Sequence, residues 1–336
     1  MSISQLSRGL SASGNELGLD YSDVATDSCT MTEPAITFDD VSKRFGDTIA
    51  VDSLTLSIPR GSVTVFLGPN GAGKTTTVRL TTGALTADSG EITVLGLSTS
   101  TDGHEVRKIC GVVPPKPAFF DTLSGFDNLR YAAEIAGASP QTITPAAERF
   151  GIVDELDRRV DGYSTGMRTR LALARAVLHD PEVLLLDEPT AGLDPESSRA
   201  VLGLIREMAG KGRTIVMCTH LLHEAEGIAD VVVLMGSGRA RAVGNPHDLM
   251  KTYATEKRVT IDAVDRSMLA LLQHMPGVLG IEGDGPMNVT IEDMSVVPSL
   301  VKALTDKGAD ITRVEPHKQT LEHLYFEMQR MIGDQP

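Results

Sequence analysis

The chain has 336 residues, 41% of them hydrophobic, and a formal net charge of −14. That length is enough for two domains, and the apolar share is enough for a substantial core without covalent staples. The acidic balance argues against a nucleic-acid partner held by general electrostatics, which wants a basic face; nucleotide binding through backbone N–H groups, a few cations and a metal stays open.

Residues 1–33 are rich in Ser, Gly and Asp and poor in large apolar side chains, so a disordered tail is expected, with the fold starting near Pro34. This segment lacks the basic flank and apolar stretch of a signal peptide. From 34 to 245 strand-like and helical segments alternate. Ser62–Leu67 reads as a buried strand, followed by a Gly-rich turn and a helix through Thr77–Leu80. Glu182–Leu186 and Thr214–Cys218 are short, nearly continuous apolar runs that suit the middle of a mostly parallel sheet. Between them and the first helix, about 120 to 180 reads as mostly helical.

Near Gly244–Pro246 the pattern changes. The remainder reads strand (Arg258–Ala263), helix (Ser267–Met275), strand (Val278–Glu282), strand (Asn288–Ile291), helix (Val297–Asp306), strand (Ile311–Glu315) and a last helix from Thr320. A βαββαβ order of this kind predicts a small ferredoxin-like α+β domain over 246–336. The apolar runs, such as Val183–Leu186 and Val231–Met235, are strand-sized and far short of the ~20 residues that a spanning helix needs. Any membrane role is therefore expected to run through a partner. Cys29, Cys110 and Cys218 form no CxxC pair and no Cys/His ligand spacing, so neither a disulfide framework nor a zinc site is expected.

Three segments carry chemistry. Gly68-Pro69-Asn70-Gly71-Ala72-Gly73-Lys74-Thr75 fits G-x-x-x-x-G-K-[ST] and sits between a strand and a helix, the context this phosphate-binding loop requires. Glycines let the backbone wrap and turn N–H groups inward, and the helix N-terminus adds partial positive charge. Lys74 can reach β- and γ-phosphates, and Thr75 can set its hydroxyl on Mg²⁺; Thr76 completes the cradle. Leu184-Leu185-Leu186-Asp187-Glu188-Pro189 is an apolar strand ending in two acids. A carboxylate buried there is costly unless it is paired or bound to metal. Asp187 is the candidate for holding Mg²⁺ through water, and Glu188 the candidate general base on the attacking water. Tyr163-Ser164-Thr165-Gly166-Met167 precedes an amphipathic helix, Arg168–Leu178. Ser164 reads either as a simple N-cap or as a hydroxyl that, with free N–H groups, faces a phosphate.

In this order the motifs resemble those of the ATP-binding cassette ATPases. Ala191-Gly192-Leu193-Asp194-Pro195 is similar to the family's D-loop, His220 closes a strand like its switch histidine, and Phe45 stands where the family stacks a ring on adenine. The resemblance covers about 34–245. It implies an α/β P-loop NTPase cassette with a mostly parallel core sheet, an antiparallel subdomain and a helical subdomain. It further implies ATP and Mg²⁺ as cofactors and a head-to-tail homodimer, with each ATP between one phosphate loop and the other copy's Ser164 and Gly166. Lys74, Glu188 and His220 would be catalytic, and Asp194 would couple the two sites.

Tyr-Ser-x-Gly-Met resembles the signature of cassettes that pair with integral-membrane ABC-2 type permeases, which implies a place on the cytoplasmic face of the cell membrane. Thr320–Glu327 is similar to the closing segment of daunorubicin-type exporters, which favours export. Pro115, in Val113-Pro114-Pro115-Lys116-Pro117, falls where the family carries the Q-loop glutamine; proline cannot hydrogen-bond there and stiffens the loop. Two other readings stay open: a soluble cassette with no transport role, and a nucleotide-sensing module with weak turnover. The cargo is not legible, because its path lies in another protein.

Overall fold

The computed structural model describes residues 33–253, 257–283, 285–317, 320–322 and 324–325. The expected tail over 1–33 lies outside these residues except for Glu33, as does much of the helix expected from Thr320.

The chain opens with a hairpin of β1 (Ile36–Phe45) and β2 (Thr48–Ile58). Then come β3 (Val63–Leu67), α1 (Lys74–Thr81), β4 (Ser89–Val94), β5 (Leu97–Ser98), α2 (Gly103–Ile109) and β6 (Cys110–Val113). The helical stretch holds α3 (Gly125–Ala136), α4 (Ile143–Arg149) and α5 (Thr165–Ala176). It leads to β7 (Val183–Asp187), α6 (Pro195–Gly210), β8 (Thr214–Thr219), α7 (Leu222–Ile228), β9 (Val231–Gly236), β10 (Arg239–Gly244) and α8 (Pro246–Tyr253).

Two sheets build this part. One is antiparallel, in the order β2-β1-β4-β5. The other runs β10-β9-β3-β8-β7-β6 and is parallel except for its β10 edge. The alternation of side chains along a strand explains how it is held. Val63, Val65, Leu67, Leu184, Leu186, Ile215 and Met217 point into a cluster shared with α3–α6. Phe66, Val183, Leu185, Val216 and Cys218 point into a second cluster shared with the antiparallel sheet and α1. Both faces of the central strands are covered, which is why β3, β7 and β8 read as continuous apolar runs.

In the last section, β11 (Lys257–Ala263), β12 (Val278–Glu282), β13 (Met287–Ile291) and β14 (Ile311–Pro316) form an antiparallel sheet in the order β12-β13-β11-β14, with α9 (Val297–Asp306) between β13 and β14 in the chain. This is the expected ferredoxin-like arrangement, around its own cluster of Val259, Ile261, Leu269, Leu272, Val289, Ile291, Leu300 and Leu304. One expectation is corrected: the α-helix over Ser267–Met275 is a 3-10 helix over Arg266–His274. Leu269 and Leu272 are both fully buried, and a three-residue turn eclipses positions three apart, aiming both at the sheet. Leu321 and Leu324 leave this sheet's core and join the large cluster beneath the parallel sheet.

Register places the chemistry. Leu67 pairs with Thr219, and Asp187 with Cys218. The segments leaving β3, β7 and β8 therefore emerge side by side at one edge, the usual ligand-binding edge of a parallel sheet.

Candidate nucleotide and catalytic site

The loop after β3 is shaped by backbone contacts that no side chain could share. Gly73 has φ +100°, and a Cβ there would lie 2.3 Å from the carbonyl oxygen of Ala50 in β2. At Gly68 a Cβ would lie 2.3 Å from the carbonyl oxygen of Met235. The loop is thus wedged between β2 and β9, and Gly73 caps α1 without a side-chain bond to its first-turn N–H groups. Those donors can turn to an anion. Lys74 is buried, and its Nζ donates to the carbonyls of Gly68 at 2.6 Å and Pro69 at 3.0 Å. Burial pushes its pKa down, opposed by Cys218, Glu188 and Asp187. The cation therefore stands within electrostatic reach of both acids.

Asp187 ends β7 at 2% exposure, and neither of its carboxylate oxygens has a hydrogen-bond partner among the described residues. Burial pushes its pKa up. Thr75 approaches it and pulls the other way without reaching hydrogen-bonding geometry, as does Lys74 from farther off. An orphaned buried carboxylate beside a threonine hydroxyl is a donor set of hard oxygens, which fits a magnesium ion. Glu188, the next residue, has φ +53°, a strained value for a side-chain-bearing residue. That turn takes its side chain out of the strand's alternation, while its N–H still donates to Cys218 O at 2.9 Å. His220, exposed just past β8, places Nδ1 3.0 Å from Glu188 Oε1. A carboxylate only accepts, so this bond needs the proton on Nδ1.

The other candidates are distributed around this centre. Phe45 ends β1 at 48% exposure, with Lys43 Nζ 5.8 Å from its ring centroid. Asn70, Gly71 and Pro69 are exposed on the loop, Ala72 is buried in it, and Thr76 is half-buried on α1. Ser164 caps α5, its hydroxyl accepting from Met167 N at 3.2 Å, and Gly166 is half-buried in the first turn. The start of α5 borders Glu188: Thr165 and Arg168 line a cavity of about 240 Å³ together with Glu188, Pro115 and Lys116, and residues 68–75 do not line it. Asp194 caps α6. Its Oδ1 accepts from Glu196 N and Ser197 N and its Oδ2 from the Ser197 hydroxyl, which holds its pKa low.

Some contacts have no signature in the motifs. Arg168 pairs with Asp121, while Arg175 donates to Ala118 O at 2.7 Å and stacks 4.7 Å from the Phe119 ring centroid. Two arginines two turns apart on α5 thus grip the segment that follows Pro114–Pro117. Glu224, on α7, is buried against Thr190 and Thr219.

The chain is similar to known proteins. The family model for the ABC transporter matches residues 51–191. The chain is 33% identical over 306 residues to the daunorubicin resistance ATP-binding protein DrrA3 of Streptomyces coeruleorubidus, covering 89% of this chain and 96% of that one. It is 36% identical over 220 residues to the Nod factor export ATP-binding protein I of Rhizobium etli, covering 64% and 70% of the two chains. A solved ATP-binding subunit of an ABC transporter superposes with a TM-score of 0.60 at 27% identity, over 66% of this chain and 93% of that one. A likeness of this extent, at one-third identity along nearly the whole length, places the chain in the ABC transporter family, as an ATP-binding subunit that hydrolyses ATP.

Proposed function

We propose that this subunit powers an exporter: two copies close head to tail on ATP, on the cytoplasmic face of the cell membrane, and drive a separate permease of the ABC-2 type. The observation that carries the catalytic part is the convergence of Lys74, Asp187 and the Glu188–His220 pair at one sheet edge. Export is supported by the relatives named for daunorubicin resistance and Nod factor export.

The first-turn N–H groups of α1 and Lys74 hold the phosphates. Phe45 offers its ring to adenine, and Ser164 and Gly166 meet the nucleotide of the other copy. Asp187 and Thr75 would hold Mg²⁺, which supplies charge neutralisation on the phosphate oxygens. Glu188 takes the proton of the attacking water, and His220 fixes the carboxylate's orientation. Asp194, already committed to its own helix, sets the D-loop that runs to the partner copy.

Phe120, Leu123, Phe126, Tyr131 and Ile135 form an exposed apolar set on and before α3, with Ile135 at 71% exposure. Soluble monomers hide such sets, and permease docking accounts for this one. We read 34–245 as the ATPase domain and 246–336 as an accessory domain that supports dimerisation. The test is phosphate release by the full chain given ATP, with and without magnesium, before and after reconstitution with the membrane protein that co-purifies with it. Magnesium-dependent release stimulated by that protein is expected; release of no phosphate in either setting would reject the reading.

A further inference from the structure

Glu224 and Glu226 lie two residues apart in His-Glu-Ala-Glu on α7, yet Glu226 is exposed and Glu224 is 2% exposed. A buried carboxylate is costly unless hydrogen bonds, a paired charge or a metal satisfies it. Here both bonds come from outside α7. The hydroxyl of Thr190 donates to Glu224 Oε2 at 2.8 Å, and that of Thr219 to the same oxygen at 3.1 Å. Both threonines are themselves buried.

Their positions matter. Thr219 is the last residue of β8, directly before His220, and its Oγ1 also accepts from Leu221 N at 3.0 Å. His220 is thus flanked on both sides by backbone anchored through Thr219. Thr190 follows Glu188 by two residues, in a turn closed by Ala191 N to Glu188 O at 3.1 Å and Leu193 N to Thr190 O at 3.1 Å. Besides the backbone bond from Glu188 N to Cys218 O, side chains join the two loops that carry Glu188 and His220 at two places. At the front is the bond between the two side chains; behind it, away from the reacting groups, is Glu224.

We infer that Glu224 is a positioning residue for ATP hydrolysis: one carboxylate oxygen, shared by Thr190 and Thr219, sets the separation of Glu188 and His220 and ties it to the Ala191–Asp194 turn. It touches no substrate, and the inference rests on the ATPase reading above. The phosphate loop is built on β3 and α1 and does not use this bridge. Cutting the bridge should leave nucleotide affinity in place and cost turnover, because a small misplacement of a catalytic group is expensive in rate while binding contacts elsewhere persist.

The full chain carries the test, through a fluorescent ATP analogue for affinity and phosphate release for kcat. Thr190→Val and Thr219→Val keep side-chain shape and remove one donor each. Together they are expected to lower kcat about tenfold or more with the dissociation constant shifted less than about threefold. Glu224→Gln keeps one carbonyl oxygen able to accept both hydroxyls, and is expected to hold kcat within about threefold of wild type. Glu224→Ala is expected to match the double threonine variant; if it does not fold, the threonine variants decide alone. Wild-type turnover in the double threonine variant would overturn the inference, as would a loss of affinity in proportion to the loss of kcat. A wild-type chain that releases no phosphate would overturn the ATPase reading and this inference with it.

Discussion

Nδ1 of His220 lies 3.0 Å from Oε1 of Glu188, across 32 residues of sequence. The contact joins the ends of two neighbouring parallel strands, and it orients a carboxylate that the strained backbone at Glu188 has already turned outward. Glu188→Gln keeps the shape and removes the proposed base. It is expected to lower kcat by about 10²-fold or more while ATP still binds. His220→Ala is expected to lower kcat as well, with a smaller effect on affinity than on rate. Single-turnover phosphate release beside equilibrium nucleotide binding checks both.

Asp187 is a burden on the fold when no metal ion is bound to it. Both its oxygens are buried without hydrogen-bond partners among the described residues, and burial pushes its pKa up. Asp187→Asn removes the charge and keeps the volume. In EDTA and without nucleotide, the variant is expected to be more stable than wild type by about 1–3 kcal/mol. Magnesium-dependent phosphate release is expected to collapse in the same variant. Thermal unfolding in EDTA checks the first part; a variant less stable than wild type there would show that the carboxylate contributes to folding after all.

Gly73 has a left-handed backbone, and the carbonyl of Ala50 stands where a side chain would begin. Gly73→Ala combines an unfavourable φ with a backbone clash, so the loop must shift. A loss of about 2–4 kcal/mol or a displaced loop is expected, and ATP affinity should fall in either case. Gly71, also left-handed but with nothing within 4 Å of its notional Cβ, serves as the comparison: Gly71→Ala meets strain without a clash and should cost less.

The apolar set around α3 is expected to serve assembly and not chemistry. Phe126→Glu and Ile135→Glu should leave phosphate release by the isolated chain near wild type, because neither residue packs against the acid pair. Co-purification with the membrane partner should be lost. If both variants still assemble, the permease docks elsewhere.

Burial pushes the Cys110 thiol up to about 12 and the Cys218 thiol well above its usual range. Both should resist alkylation in the native chain at pH 8, where neither presents a thiolate. Both should react once the chain is unfolded in denaturant. Mass spectrometry of labelled peptides reads this site by site.

Much of this architecture was legible in the sequence. The runs around Val65, Leu185 and Val216 are apolar throughout because both faces of the sheet are covered, so their strand character shows without periodicity. The phosphate loop was legible because its whole pattern, Gly68 to Thr75 between a strand and a helix, is complete in one short stretch, although the contacts that demand Gly68 and Gly73 come from distant Met235 and Ala50. What stayed hidden depends on distant partners. Glu224 and Glu226 look alike in the sequence, and only the packing of α7 against Thr190 and Thr219 separates a buried bridge from a solvated acid. Spacing could not distinguish an α-helix from a 3-10 helix over Arg266–His274, since Leu269 and Leu272 satisfy either. The grip of Arg168 and Arg175 on residues 118–121 was equally invisible, because arginines on an amphipathic helix read as its solvent face.

The return of Leu321 and Leu324 to the cluster under the parallel sheet has a consequence for biosynthesis. Residues made long after the ATPase strands finish a core begun some two hundred and fifty residues earlier at Val63. Until they arrive, the nascent ATPase carries an uncovered greasy seam. A premature stop just before Leu321 would leave that seam permanently open, and cellular proteases rather than a working motor would be its destination.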